Sequence, residues 1–118
     1  MVYLAGSRSL AVLEMMAHCS IAALRMKYAV IEVRFDRRLA KELSEEGLPA
    51  NWQSDPAPSS THRIGDEWVR DGRSLALSVP SSIVPQERNF LLNPSHAHFA
   101  KMSFGEPRAF QFDSRLLG

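Results

Sequence analysis

A few side chains in this sequence combine chemical capability with a marked position. Glu14 is the only carboxylate in the first helical stretch, next to its apolar stripe, and His18 follows one turn later on the same face. A carboxylate so placed is either a charge stabiliser in a site or an exposed helix glutamate. Ser81 stands directly after Pro80, where a strand ends. Its hydroxyl can reach a ligand at the sheet edge or shape a turn, and Ser82 beside it offers a second register. Tyr3 carries an aromatic face for stacking and a hydroxyl for hydrogen bonding, or else packs in the core. Asn93 precedes Pro94 at another strand end, and its amide serves a ligand hydroxyl or, the reading its type favours, an Asx-type turn.

Other reactive types carry less. His96 and His98 are two apart, a spacing that a strand could offer to a metal, but no further ligand set accompanies them, so no metal site is expected. Cys19 is the sole cysteine. It rules out an internal disulfide, suits a reducing cytoplasm, and reads as a small buried hydrophobe at the end of an apolar helical run. Arg115 is expected to pair with Asp113. Trp52 and Trp68 read as packing anchors, although Trp52, in a loop, could instead meet a partner.

These residues need elements to hold them. Residues 2–5 are apolar and read as a short strand. Ser7 or Ser9 can cap a helix that runs from Leu10 to about Met26, with Leu10, Leu13 and Ala17 on one face. Residues 28–35 form a half-buried strand, with Ile31, Val33 and Phe35 facing one way and Glu32 and Arg34 the other. The charged residues 37–46 allow a helical turn or two. Gly47 to Thr61, with Pro49, Pro56 and Pro58, is a loop long enough to be functional or mobile. A second helix runs to Asp71 on Ile64, Trp68 and Val69, and Gly72 ends it. Strands follow at Leu75–Val79, Phe90–Leu92, Met102–Phe104 and Ala109–Phe112. The order predicts an α+β fold with a mixed or antiparallel sheet and flanking helices, in one domain spanning residues 1–118.

Composition narrows the class further. Hydrophobic residues make up 45% and charged residues 23%, the balance of an ordinary globular domain. A net charge of +1, with Lys and Arg scattered, argues against direct nucleic-acid binding but leaves a small anionic ligand open. No apolar run is long enough to span a membrane, and no basic region precedes the first apolar residues as in a signal peptide.

Four stretches, in order, resemble the RES family. They are Val2-Tyr3-Leu4-Ala5 with Leu10-Ala11-Val12-Leu13-Glu14 and His18; Ile64-Gly65-Asp66-Glu67-Trp68; Ser74-Leu75-Ala76-Leu77-Ser78-Val79-Pro80-Ser81 with Val84-Pro85; and Asn89-Phe90-Leu91-Leu92-Asn93-Pro94-Ser95-His96, closing with Phe112-Asp113-Ser114-Arg115-Leu116. The family is named for an arginine, a glutamate and a serine. The resemblance places the glutamate at Glu14 and the serine at Ser81.

The resemblance implies a fold similar to the ADP-ribosyltransferase toxins. It also implies a toxin of a toxin–antitoxin pair that binds NAD as substrate, without metal, and breaks its nicotinamide–ribose bond. Glu14 would stabilise the positive charge that develops on the ribose. Tyr3 and Asn93 would contact NAD, and the partner would be an antitoxin with a helix-turn-helix region.

The family arginine lies in a Gly-Arg-Trp-Asn-like stretch ahead of the tyrosine strand, and none of Arg8, Arg25 or Arg34 occupies its position. The expectation is therefore a domain incomplete at its N-terminus, with weak or absent turnover and an exposed strand edge that invites pairing with another chain, as in a homo-oligomer. Two alternatives stay open beside the NAD-cleaving enzyme: an inactive module that still captures an antitoxin, and a protein ADP-ribosyltransferase.

Overall fold

The computed structural model describes residues 1–118. The chain opens on strand β1 (Val2–Ala5), followed by helix α1 (Arg8–His18) and the single turn α2 (Ile21–Leu24). Next come three short strands, β2 (Tyr28–Val30), β3 (Val33–Arg34) and β4 (Ala40–Glu42). Helix α3 (Ser59–Asp71) precedes β5 (Ala76–Pro80) and β6 (Arg88–Leu92), and the chain closes with β7 (Ser103–Phe104) and β8 (Arg108–Phe110).

The main sheet has the order β1-β6-β5-β4. β6 runs antiparallel to both β1 and β5, while β4 runs parallel to β5. The architecture is thus α+β with a mixed sheet and flanking helices, as the element order predicts, and it is compatible with an ADP-ribosyltransferase-like fold. Two further ladders, β2 with β8 and β3 with β7, stand apart from this sheet.

The core gathers on the main sheet. Trp68 of α3 packs against Leu77 and Leu91, with Leu43, Val69 and Val79 around them. The indole N–H of Trp68 donates to the Ser74 hydroxyl at 2.8 Å, so the ring is buried without an orphaned donor. Gly72 ends α3 in the left-handed region at φ 67, a conformation that only glycine adopts freely. The Arg88 guanidinium donates to the Ser78 hydroxyl and carbonyl at 2.9 and 2.8 Å and to the Leu43 carbonyl at 2.6 Å. That one side chain stitches β6 to β5 and to the segment leaving β4.

Several expectations change or sharpen. The helix expected through Met26 breaks after His18, because Cys19 is extended and Ser20 starts a new turn by accepting from the Ala23 N–H at 3.2 Å. Cys19 is half-buried in that break. The strand expected over 28–35 divides at Ile31 and Glu32, and its two pieces pair with different partners. The charged stretch 37–46 forms two 3-10 turns around β4, which joins the main sheet. Leu13 is exposed, and the buried line of α1 runs through Leu10.

Candidate active site

Helix α1 begins beside the turn between β5 and β6. Ser7 caps it by accepting from the Leu10 N–H at 3.1 Å, and the Ser7 hydroxyl donates to Glu87 at 3.1 Å. Gly6 permits the approach: its N–H donates to the Arg88 carbonyl at 2.9 Å, and a Cβ there would lie 2.8 Å from that oxygen. Leu10 then buries completely. Glu14 follows one turn later on the same face, which turns its carboxylate toward the ends of β5 and β6.

That carboxylate is held from two sides. Glu14 Oε1 accepts from the Ser81 hydroxyl at 2.7 Å and from Asn89 Nδ2 at 2.7 Å. Glu14 Oε2 meets only His18 Nε2, at 3.4 Å, and the Glu14 side chain stays 19% exposed. The orientation of the Asn89 amide follows from chemistry. An ionised carboxylate only accepts, so the NH2 end must face it.

Ser81 serves two ends at once. Its N–H donates to the Glu87 carbonyl at 2.9 Å, continuing the β5–β6 ladder. Its oxygen accepts from the Ile83 and Val84 N–H groups, both at 3.1 Å, and its single proton goes to Glu14. The turn-forming serine and the serine that holds Glu14 are the same residue. A fully buried hydroxyl with one donor and two lone pairs all engaged holds Glu14 rather than attacking a substrate. Gln53, in the long loop, donates to the Ser82 carbonyl at 3.2 Å and pins that loop over this turn.

The other two expected residues lie elsewhere. Tyr3 is 71% exposed and lines a cleft of about 880 Å³ between β1, α1 and the strands β2 and β3. Glu14 and Ser81 are not among the cleft's lining residues; Ala11, Val12 and Met15 present the other side of α1 to it. Arg8, Arg34 and Arg108 also line the cleft, with Glu32 and Glu106. The Glu32 carboxyl is held below its ordinary range, first by the hydrogen bond from Arg34, then by the charge of that guanidinium, with Arg8 and Arg108 adding to it. Asn93 lies at the far end of β6, roughly 13 Å of strand from Asn89. Its N–H donates to the Leu75 carbonyl at 2.9 Å, and its Oδ1 accepts from the Ser95 N–H at 3.0 Å, an Asx-type turn.

The structure therefore brings Glu14 and Ser81 together, sets Tyr3 in the neighbouring cleft, and gives Asn93 a backbone role. His96 and His98 stack at 5.2 Å, with the His98 N–H donating to His96 Nδ1 at 3.1 Å as a turn cap. No group of three or more His, Cys, Asp or Glu side chains stands close enough to hold a metal. Arg115 and Asp113 form the expected ion pair at 2.9 Å. Asn89 was not singled out from the sequence. Its signals are its place at the head of the fourth family-like stretch and a polar residue two before Leu91 on a strand, and neither says which face it takes.

Together these features define a class: an α+β domain in which a helix-borne carboxylate is clamped by a serine and an asparagine from adjoining strand ends. The RES domain description matches residues 1–113, and the chain belongs to that family. It is similar to a protein named "Toxin Res" from Yersinia enterocolitica, with 40% identity over 98% of this chain and 76% of the relative. A "Toxin Res" from Photorhabdus laumondii is 39% identical over 98% of this chain and 75% of its own length. A "Prs ADP-ribosylating toxin" from Sphingobium sp. is 34% identical over 98% of this chain and 74% of its own length.

Proposed function

We propose that this chain is the toxin of a toxin–antitoxin pair, and that it breaks the nicotinamide–ribose bond of NAD in the cytoplasm. The observation that carries this reading is the Glu14 carboxylate, held on one oxygen by Ser81 and Asn89 with the other left without a strong donor. Membership in a family whose similar members are named toxins supports the toxin role.

The chemistry balances with these residues. The C1′–N bond breaks, and its electron pair leaves with nicotinamide, which becomes neutral. Positive charge spreads over C1′ and the ring oxygen as the bond lengthens, and Glu14 stabilises it by charge. A lone pair of the acceptor, water or phosphate, closes on C1′, and the acceptor's proton passes to solvent. Ser81 keeps Glu14 in place throughout. The cleft on the other side of α1, which Glu14 and Ser81 do not line, carries Tyr3 for stacking and Arg8 and Arg108 for anionic groups, and a dinucleotide that uses them has to reach round α1 from the carboxylate. The antitoxin partner carries a helix-turn-helix region.

Protein ADP-ribosylation is the second reading, favoured by the 34% identity to the Sphingobium ADP-ribosylating toxin. NAD labelled in its adenosine half separates the two. Free nicotinamide with label in ADP-ribose or its phosphate supports the first. Label on protein supports the second. Intact NAD, with antitoxin still captured, contradicts both and leaves a binding module.

A further inference from the structure

Asn89 is placed in β6 opposite Ala5 of β1 and Val79 of β5. The small Ala5 side chain leaves its carboxamide room to reach across to α1. One half of that amide is well used, because Nδ2 donates to Glu14 Oε1 at 2.7 Å. The other half is not: Asn89 Oδ1 is buried and meets no donor. A buried acceptor without a partner works against stability. An apolar side chain of similar size would suit a position next to Leu91 better. The contact with Glu14 is the one interaction of this amide that an apolar residue cannot reproduce.

The two donors share a target. Ser81 and Asn89 both point at Oε1, from the β5 end and the β6 start, so the carboxylate can neither rotate nor exchange its oxygens without breaking two charge-assisted bonds. Oε2 is the oxygen left over. Its neighbour His18 stands at 3.4 Å and is 65% exposed, so it can move aside.

We propose that Asn89 is a positioning residue for the reaction: with Ser81 it clamps Oε1 of Glu14, so that Oε2 is the oxygen presented to the ribose as its positive charge develops. This rests on the NAD-cleaving reading above. Asn89 acts through Glu14 and touches no substrate atom, so its removal changes the rate of the bond-breaking step and leaves substrate binding in place.

Two substitutions and one spectrum test it. Asn89→Leu keeps the branched outline and the number of heavy atoms, adds some bulk, and removes the donor. Its kcat falls about tenfold to a hundredfold, the cost of a misaligned group, while KM stays within about threefold and Tm holds or rises. Asn89→Asp keeps the shape but sets a second carboxylate against Oε1, and its kcat falls further than that of the leucine variant. If the leucine variant loses Tm by overpacking, Asn89→Ala gives the same kcat-against-KM reading without added bulk.

In the free protein, the Asn89 side-chain amide proton that faces Glu14 resonates downfield of the ordinary asparagine side-chain range and exchanges more slowly than the other. Both properties vanish in Glu14→Ala and persist in His18→Ala. Undiminished kcat in both the leucine and alanine variants overturns the proposal, as does a loss that falls on KM alone or an Asn89 amide indifferent to Glu14. If the parent protein releases no nicotinamide from NAD, the functional reading fails and the proposal with it. If the parent is active and Asn89→Leu equals it, only this proposal fails.

Discussion

In the main sheet, Leu75, Ala76, Leu77, Leu91 and Leu92 are buried, and the polar groups among them, Asn89 Oδ1 excepted, find partners through Arg88, Ser81 and Trp68. Across the small ladders, no residue of β2, β3, β7 or β8 is buried, and Phe104 is 53% exposed. The ladder half is fastened instead by its backbone pairing and by aromatic edges, such as Tyr28 on Phe112 at 5.9 Å. Precision in this molecule is concentrated where the carboxylate is held. The side that forms the far wall of the cleft is built from surface interactions, which yield more easily to a ligand.

Substitutions break or sharpen this contrast. Trp68→Ala should cost about 3–5 kcal/mol of unfolding free energy in a denaturant titration, because it removes the ring that joins α3 to the sheet. A loss below about 1 kcal/mol would mean that the sheet half is no better packed than the ladders.

Ser81→Ala should act on both stability and activity. It strands the Ile83 and Val84 N–H groups, at about 1–3 kcal/mol, and it frees Glu14, lowering nicotinamide release about tenfold to a hundredfold. Stability lost with full activity would confine Ser81 to the turn.

Phe104→Ala, on the ladder side, should change the unfolding free energy by no more than about 0.5 kcal/mol. A loss as large as that of Trp68→Ala would erase the distinction between the halves.

The smallest effect belongs to Asp36. The hydrogen bonds from the Arg38 side chain and backbone hold its carboxyl down to about 2, below the ordinary 3.8. Its folded value is depressed, so any stability it contributes is complete above the ordinary value and lost as pH falls through about 2. The pair is exposed and screened. Asp36→Asn should therefore leave Tm unchanged near neutral pH, and the melting curves of parent and variant should differ only in strong acid.

The sequence made local elements legible where capping and periodicity act alone. Gly72 ends α3, Ser7 starts α1, and the alternation of Leu75, Leu77 and Val79 marks β5. It failed where neighbours in space decide. The break at Ile31 and Glu32 arises because two different strands claim the two halves, and nothing within 28–35 announces that. At the site, the family resemblance singled out Glu14 and Ser81, which are 67 residues apart in sequence and 2.7 Å apart in space. Asn89 escaped notice because strand alternation gives a face only relative to a sheet. Asn93 drew attention through its proline and makes the Asx-type turn that its residue type favours.

The account stands on Glu14 as the charge stabiliser of NAD cleavage. The direct measurement is nicotinamide release from NAD by the parent protein beside Glu14→Gln, which keeps the shape and both neighbouring hydrogen-bond positions but removes the charge. The account predicts weak but measurable release by the parent, in keeping with the lack of an arginine at the family position, and a further loss of about a hundredfold to a thousandfold in the variant, with both proteins equally folded. Equal release by the two, or none from the parent, would contradict it.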